Sequence, residues 1–178
     1  MTFNLYNQDN APEESQKLLQ NSLAAFGMIP NLHATMAESA PLLEAYQTLH
    51  TLFQKTSFNA EELTVVWQTI NVEHNCHYCV PAHTGIAHMM KVDNTIIEAL
   101  RNRTKLPTEK LQTLHITTLS LVRNRGQLSN EETSAFLNAG YEQRQLLEIV
   151  LGIAQKVMSN YVNHLTQTPV DDAFKQFE

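Results

Sequence analysis

Apolar side chains recur every three or four positions along this 178-residue chain, and this spacing is the feature that most constrains its fold. Such a period places apolar residues on one face of an α-helix, whereas a half-buried strand alternates every second residue. Only five glycines and six prolines interrupt the pattern. The chain is therefore predicted to be all-α, with roughly eight to ten helices joined by short connections.

Local signals predict where individual helices begin and end. Pro12 stands before two acidic residues, as at a helix start, and Gly27 is a typical stop. Asn59–Glu62 and Ser129–Glu132 each have the pattern of a capping box, in which a side chain at either end of the first turn satisfies a backbone N–H. A final long helix is predicted over about Glu142–Leu165.

The length fits a single domain, because chains of this size bury most of the surface that the unfolded form exposes. Residues 1–10 are polar and are predicted to be an N-terminal arm, which docks on a neighbouring subunit or frays. Residues 11–178 are predicted to form one helical domain. No linker or low-complexity segment divides them.

The only two cysteines, Cys76 and Cys79, stand in a C-x-x-C motif. His83 follows the second cysteine by four positions, and Glu73 precedes the first by three. Two thiols at this spacing can close a disulfide or share a metal ion. A chain with its own apolar core gains little from one disulfide across so short a loop, so a chemical use is favoured.

These residue types suit thiol redox chemistry. A thiol reacts with a peroxide or a disulfide only as the thiolate, and His83 can take its proton, directly or through a water, while Glu73 orients the histidine. The other cysteine then attacks the sulfenic acid and closes a disulfide. A helix break at His74–Asn75 would place both cysteines in a first helical turn, where the helix dipole stabilises a thiolate. Pro81 also favours a helix that begins at the motif.

Two other uses of the motif remain open. A zinc ion needs four ligands, and the candidates crowd into one segment: Cys76, Cys79, His83 and one of His74, His77 and His88. Structural zinc sites usually draw a second ligand pair from a distant segment. The cysteines can also be ordinary core thiols.

Outside the motif, His164 ends a polar cluster, Ser159–His164, on the last long helix. It either lines the site or a subunit contact, or serves as a capping or surface group. Trp67 is predicted to lie in the core. His33 and His50 are predicted to be surface or interface groups.

Composition excludes several functions. A formal net charge of −6 argues against non-specific nucleic-acid binding. No run of about 18 apolar residues predicts a membrane span, and Met1–Asn7 lacks the pattern of a secretory signal. We expect a cytoplasmic protein in a reducing compartment, with no cofactor and no bound metal.

The sequence resembles the carboxymuconolactone decarboxylase family, in its peroxidase-related, alkyl hydroperoxidase D-like branch. The resemblance rests on Val72–Thr84 and extends through Ile29–Leu32, Leu147–Gly152 and Ser159–His164, so it covers roughly residues 25 to 175. The decarboxylases proper generally lack the cysteine pair, so the lyase activity is the weaker alternative here.

The resemblance implies an all-α fold that assembles as a homo-oligomer, a trimer or a multiple of it. It implies a peroxidase in which Cys79 reacts with the hydroperoxide and Cys76 resolves it, with a thiol or dithiol reductant restoring the pair. It also implies that His83 belongs to a proton relay with a glutamate.

The expected relay glutamate is displaced in this sequence. Thr64 stands where the resembled proteins have it, and Glu62 would point about 160° away on a helix. Glu73 is the nearer candidate. The predicted site is therefore Cys79, Cys76, His83 and Glu73, with His77 and His164 as supporting groups. The alternative is a metal-binding or redox-sensing module without turnover.

Overall fold

The computed structural model describes residues 3–178. Met1 and Thr2 lie outside the described residues. They begin both the predicted N-terminal arm and the segment Met1–Asn7, which lacks the pattern of a secretory signal. All regular structure in the described range is helical, which confirms the all-α prediction. The α-helices are α1 (Glu13–Phe26), α2 (Asn31–Met36), α3 (Ala40–Phe53), α4 (Ala60–Glu73), α5 (Cys79–Met89), α6 (Asn94–Asn102), α7 (Glu109–Arg123), α8 (Asn130–Asn138) and α9 (Gln143–Thr166). A 3₁₀ helix, Asp172–Phe177, follows near the C-terminus.

The local start and stop signals act as predicted. Both reciprocal capping boxes form, at Asn59–Glu62 before α4 and at Ser129–Glu132 before α8. Gly27 ends α1 in the left-handed region at φ 70°, where a glycine meets no steric penalty. These ends depend on contacts within a few residues, which explains why the sequence predicts them.

The helix that carries the motif begins later than expected. Only Cys79 belongs to α5, as its first residue, while Cys76 lies in the preceding turn. The left-handed φ of Asn75, 51°, turns the chain sharply after α4, and asparagine tolerates this conformation better than most residues. Pro81 then falls in the first turn of α5, where its missing N–H costs nothing.

Helix α4 forms the centre of the molecule and packs against α5, α6, α7 and α9. Its apolar face joins a large interior in which Trp67, Phe53, Phe136 and Ile149 are almost completely buried. Trp67 is thus a core residue, as predicted. The burial of these side chains supplies the main stabilisation, about 1.5–3 kcal/mol for each large apolar side chain.

A second interior lies between α1, α2, α3, α5 and the C-terminal half of α9. It contains Leu19, Leu43, Tyr46 and both cysteines, but it also encloses many polar side chains. His33 is one of them, at 5% exposure, and it bonds Ser22 Oγ through Nδ1 at 2.8 Å. His33 was predicted to be a surface or interface group; it is not at the surface of the chain, because the ring fills space between α1 and α3.

The described part of the N-terminal segment makes hydrogen bonds within its own chain. The N–H of Tyr6 donates to Ala34 O at 3.2 Å, and its hydroxyl donates to Glu38 Oε2 at 2.7 Å. The docking of residues 1–10 on another subunit stays a prediction. Within residues 3–178, no helix combines the length and apolar character that crossing a bilayer requires.

Candidate active site

The turn between α4 and α5 brings the two sulfur atoms together. The N–H of Cys76 donates to Asn71 O at 3.0 Å, which closes the turn. The N–H of Cys79 donates to Cys76 Sγ at 3.2 Å, so the first cysteine caps the helix that the second one opens. Both residues are free thiols, with 0% and 1% exposure. The C-x-x-C spacing thus becomes a local contact.

Helix α9 supplies polar groups to the thiols from the opposite side. Asn163 Nδ2 lies 3.2 Å from Cys79 Sγ and 3.9 Å from Cys76 Sγ. Ser159 Oγ lies 3.8 Å from Cys79 Sγ. The amide of Asn163 is therefore directed mainly at the second cysteine. Its own oxygen, Oδ1, is buried without a hydrogen-bond partner among the described residues.

These surroundings shift the pKa values of the two thiols in opposite directions. The hydrogen bond with Cys79 raises the pKa of the Cys76 thiol far above its ordinary value, and burial adds to the rise. Burial also acts to raise the pKa of the Cys79 thiol, but the hydrogen bond with Cys76 and the charge of Lys156 bring it below its ordinary value. The hydrogen bonds with Ser159 and Asn163 act in the same direction. These contacts favour the thiolate on Cys79 and the protonated thiol on Cys76.

Lys156 is the unexpected member of the site. It has 0% exposure, and its Nζ lies 2.9 Å from His83 Nε2. No carboxylate among residues 3–178 lies within ion-pair distance of it. Burial lowers the pKa of Lys156, whereas the two thiols act to raise it. A thiolate can balance the charge of this buried lysine, as a carboxylate does for lysines elsewhere.

His83 meets Lys156 rather than a sulfur. The ring is buried and packs against Trp67, with 4.9 Å between the ring centroids. Burial lowers the pKa of His83 well below its ordinary value, and the charges of Lys156 and His50 lower it further. The imidazole is neutral at neutral pH and can accept a hydrogen bond from the lysine. Its predicted role as the base for Cys79 stays a prediction.

Glu73 does not contact His83 in this structure. Both of its carboxylate oxygens accept hydrogen bonds from Arg123, at 2.7 and 2.9 Å, and this pairing lowers the pKa of Glu73. Glu62 is engaged in its capping box and with Lys110 at 3.1 Å. The carboxylate relay expected at His83 is therefore not assembled, because the candidate carboxylates have partners of their own.

The remaining histidines of the motif point to different partners. His77 bonds Thr168 O at 2.9 Å through Nε2, and its ring stacks near that of the exposed His164 at 6.5 Å. His74 Nδ1 bonds Asn160 Oδ1 at 2.8 Å. No group of three or more histidine, cysteine, aspartate or glutamate residues in the described part of the chain converges as metal ligands. The candidate zinc ligands Cys76, Cys79 and His83 therefore do not converge with a fourth ligand in this structure.

One cavity opens beside the motif. It has a volume of about 350 Å³ and reaches Cys76; its other walls are Asn75, His77, Val80, Pro81, Arg101, Phe177 and Glu178. Arg101 donates to Phe177 O at 2.7 Å and so holds the C-terminal segment over α5. Cys79 lies behind Cys76 and does not line this cavity. A larger cavity, about 620 Å³, lies by Arg125 and away from the thiols.

Sequence reasoning missed Lys156 and the direct role of Asn163, although a signal was present. Polar residues recur at helical spacing in the second half of α9: Gln155, Lys156, Ser159, Asn160 and Asn163. All five are buried. A buried polar stripe on an otherwise apolar helix indicates a site, since such groups are costly unless they have partners.

Comparison with solved structures identifies proteins of the same fold. The alkylhydroperoxidase AhpD core of an uncharacterized peroxidase-related protein from Ralstonia eutropha JMP134 matches with a TM-score of 0.86 and 16% identity, over 97% of this chain and 93% of that chain. An uncharacterized peroxidase-related protein from Silicibacter sp. TM1040 matches with a TM-score of 0.80 and 17% identity, over 98% and 96%.

A third similar structure is the debrominase Bmp8, solved as a cysteine-to-alanine variant with 2,3,4-tribromopyrrole. It matches with a TM-score of 0.81 and 16% identity, over 99% of this chain and 95% of that chain. No protein-family model matches the sequence, and no curated protein matches it significantly. The chain thus has the alkyl hydroperoxidase D-like fold, which confirms the predicted fold; a likeness at this identity carries the fold alone.

Proposed function

We propose that this protein is a thiol-dependent, peroxidase-like oxidoreductase that reduces a hydroperoxide by cycling Cys76 and Cys79 between dithiol and disulfide. The observation that carries the proposal is the unequal environment of two adjacent buried thiols. Asn163 and Lys156 favour the thiolate on Cys79, while the contact with Cys79 keeps the proton on Cys76. A nucleophile and a resolving thiol need this division.

The cycle has two chemical steps. The Cys79 thiolate attacks the outer oxygen of the hydroperoxide, the O–O bond breaks, and the products are a sulfenic acid and an alkoxide that takes up a proton. Cys76 then attacks the Cys79 sulfur, the S–O bond breaks, and water leaves with the proton of the Cys76 thiol. Sulfur is oxidised by two electrons and the peroxide is reduced by two.

The reductant is proposed to act at Cys76. Its thiolate attacks Cys76 Sγ, forms a mixed disulfide and releases the Cys79 thiolate, which is the better leaving group of the pair. The cavity beside Cys76 supports this choice of sulfur. We assign the cycle to a reducing, cytoplasmic compartment, where a thiol or dithiol donor is available.

The protein is further proposed to work as a homo-oligomer, a trimer or a multiple of it. Leu147, Tyr161 and Leu165 leave 74%, 61% and 73% of their surface exposed on α9. Their spacing puts them within about 40° of one another around the helix. Such a stripe on a monomer supports contact with another copy of the chain.

Reductive dehalogenation of a bromoaromatic compound is the second candidate. The similarity to a debrominase over 99% of the chain supports it. A dithiol also supplies the two electrons that replacement of bromine by hydrogen requires, with release of bromide and closure of the same disulfide. The two candidates share the thiols and differ in the bond that is broken.

The test counts thiols after reaction with an organic hydroperoxide. The reduced protein should lose two thiols per chain, whereas Cys76→Ser should stop at a sulfenic acid and Cys79→Ser should retain its remaining thiol. A parallel reaction with a bromopyrrole and a thiol reductant should release no bromide above the level of Cys79→Ser. Two thiols remaining per chain after excess hydroperoxide would contradict the peroxidase proposal. Bromide release would favour reductive dehalogenation.

A further inference from the structure

Lys156 presents a charge-balance problem that the thiol cycle alone does not solve. The side chain is completely buried on α9, from which Ser159 and Asn163 reach Cys79 Sγ, and the anion that this cycle places beside it is the Cys79 thiolate. An isolated ammonium ion in a protein interior is strongly unfavourable, whereas one paired with an anion is tolerated. Formation of the disulfide removes that anion. The lysine must then lose its proton or remain as a buried charge without a partner.

Asp171, a buried carboxylate of the same interior, is engaged by the hydroxyl of Tyr78 and the N–H of Asn31. The other titratable groups around Lys156 do not balance its charge. They are His83 from α5, Tyr46 and His50 from α3, Cys76 from the turn before α5, and His33 of α2 beyond His50. Burial lowers the pKa of His33 and of His50 to about 4, and it raises the pKa of Tyr46. Helix α4 contributes the uncharged Trp67, bonded to Gln155 at 2.7 Å, and His115 of α7 is bonded to Thr69.

We propose that Lys156 is the proton donor of the cycle: an ammonium while Cys79 is a thiolate, and a neutral amine once the disulfide has formed. This inference rests on the proposed thiol cycle and adds a residue to it. The alkoxide that leaves the hydroperoxide takes a proton from Lys156, because no thiolate remains to balance the charge of the ammonium group. The neutral amine stays beside His83, whose ring nitrogen lies 2.9 Å away.

The proton count of the whole cycle then balances. Thiolate, thiol and ammonium react with ROOH to give ROH, water, the disulfide and the neutral amine. A dithiol reductant delivers two electrons and two protons, of which one returns to Cys76 and the other to Lys156. The couple therefore takes up two protons for two electrons, although one cysteine is ionised in the reduced state.

Redox equilibration against a dithiol buffer tests this count, with thiolate absorbance in the ultraviolet recorded on the same reduced samples. For a two-electron couple each proton contributes about 30 mV per pH, so the proposal expects about 59 mV per pH near neutrality together with a thiolate signal. A lysine that keeps its proton in both states would give a thiolate signal with only about 30 mV per pH. That result, or the absence of a thiolate signal at neutral pH, overturns the proposal.

Two variants separate Lys156 from its neighbours. Lys156→Arg keeps a permanent charge, so it should retain the thiolate while the slope falls to about 30 mV per pH. His83→Gln should keep the wild-type slope, since the histidine is neutral in both states; a halved slope would assign the proton to His83 instead. If the arginine variant does not fold, Lys156→Met should lose the thiolate signal, and a retained signal would contradict the pairing.

These measurements use no peroxide. A wild-type protein that shows the two-proton slope but consumes no hydroperoxide would therefore refute the proposed function and leave the redox-linked protonation of Lys156 intact.

Discussion

Helix α9 borders two interiors that are equally buried but differ in the chemistry of their side chains. Ile149, in its first half, is completely buried in the large cluster around Trp67 and Phe53. Lys156, seven residues later on nearly the same face, is just as buried and points at His83. We call the first region the apolar interior and the second, around the thiols and Lys156, the polar interior.

Different interactions stabilise the two interiors. In the apolar interior, each buried side chain gains free energy from the surface that it removes from water, whatever its partners are. In the polar interior, a group is tolerated only if a particular partner meets it. The first region should therefore determine stability, and the second should determine reactivity. Substitutions can test this division.

Lys156→Met should have the largest effect, and on reactivity alone. Without the lysine, Cys79 loses the charge that favours its thiolate and the cycle loses its proton donor, so hydroperoxide consumption should slow by about 100- to 10,000-fold. Stability of the reduced protein should change little, because the Cys79 thiolate that loses its partner takes up a proton and no unpaired buried charge remains. Rapid-mixing kinetics and urea unfolding measure both. A destabilised variant with normal kinetics would contradict the division.

Ile149→Ala is the matched substitution in the apolar interior. The cavity that it leaves should lower the free energy of unfolding by about 2–5 kcal/mol. Chains that remain folded should react with hydroperoxide at the wild-type rate, because Ile149 does not touch the thiols. A slowed reaction in fully folded protein would mean that the two interiors are coupled through α9.

Asn163→Leu should give an intermediate effect. It removes the hydrogen bond to Cys79 Sγ, and a bond to a charged group contributes at least about 1.5 kcal/mol, so alkylation of Cys79 below neutral pH should slow roughly tenfold. Stability should change little, because the amide oxygen that is lost has no partner. Thr118→Val is the control: it removes another unpartnered buried oxygen, far from the thiols, and should stabilise the protein by about 1 kcal/mol with unchanged alkylation.

Glu73→Gln should have the smallest effect. Arg123 holds the pKa of Glu73 below its ordinary value, so the pair stabilises the fold above the carboxyl's unfolded pKa, about 4.3, and the stabilisation disappears as pH falls through the lower folded value. The variant should unfold at a slightly lower urea concentration at neutral pH, and this difference should vanish in acid. Hydroperoxide consumption should not change. A loss comparable with that of Lys156→Met would restore Glu73 as the relay residue.

The helices were predictable because their signals are local. The capping boxes at Asn59 and Ser129 and the stop at Gly27 involve residues three or four apart, and the apolar period reports which face is buried. Glu73 shows where local reasoning fails. Its position beside Cys76 suggested a relay, but its partner is Arg123, 50 residues away on α7. The prediction for His33 failed for a similar reason, because the burial of this residue depends on how α1 and α3 pack around it.

The sequence by itself determined an all-α chain with a C-x-x-C pair at the break between two helices, because helix period, capping and C-x-x-C spacing act within one or two turns. Only the tertiary structure decided which thiol has surroundings that favour its ionised form. That choice depends on Asn163 and Lys156, which lie 84 and 77 residues beyond Cys79 and reach it only when α9 packs against α5. A pKa is set by the charges and donors within a few ångströms of a group, and the sequence does not record those distances.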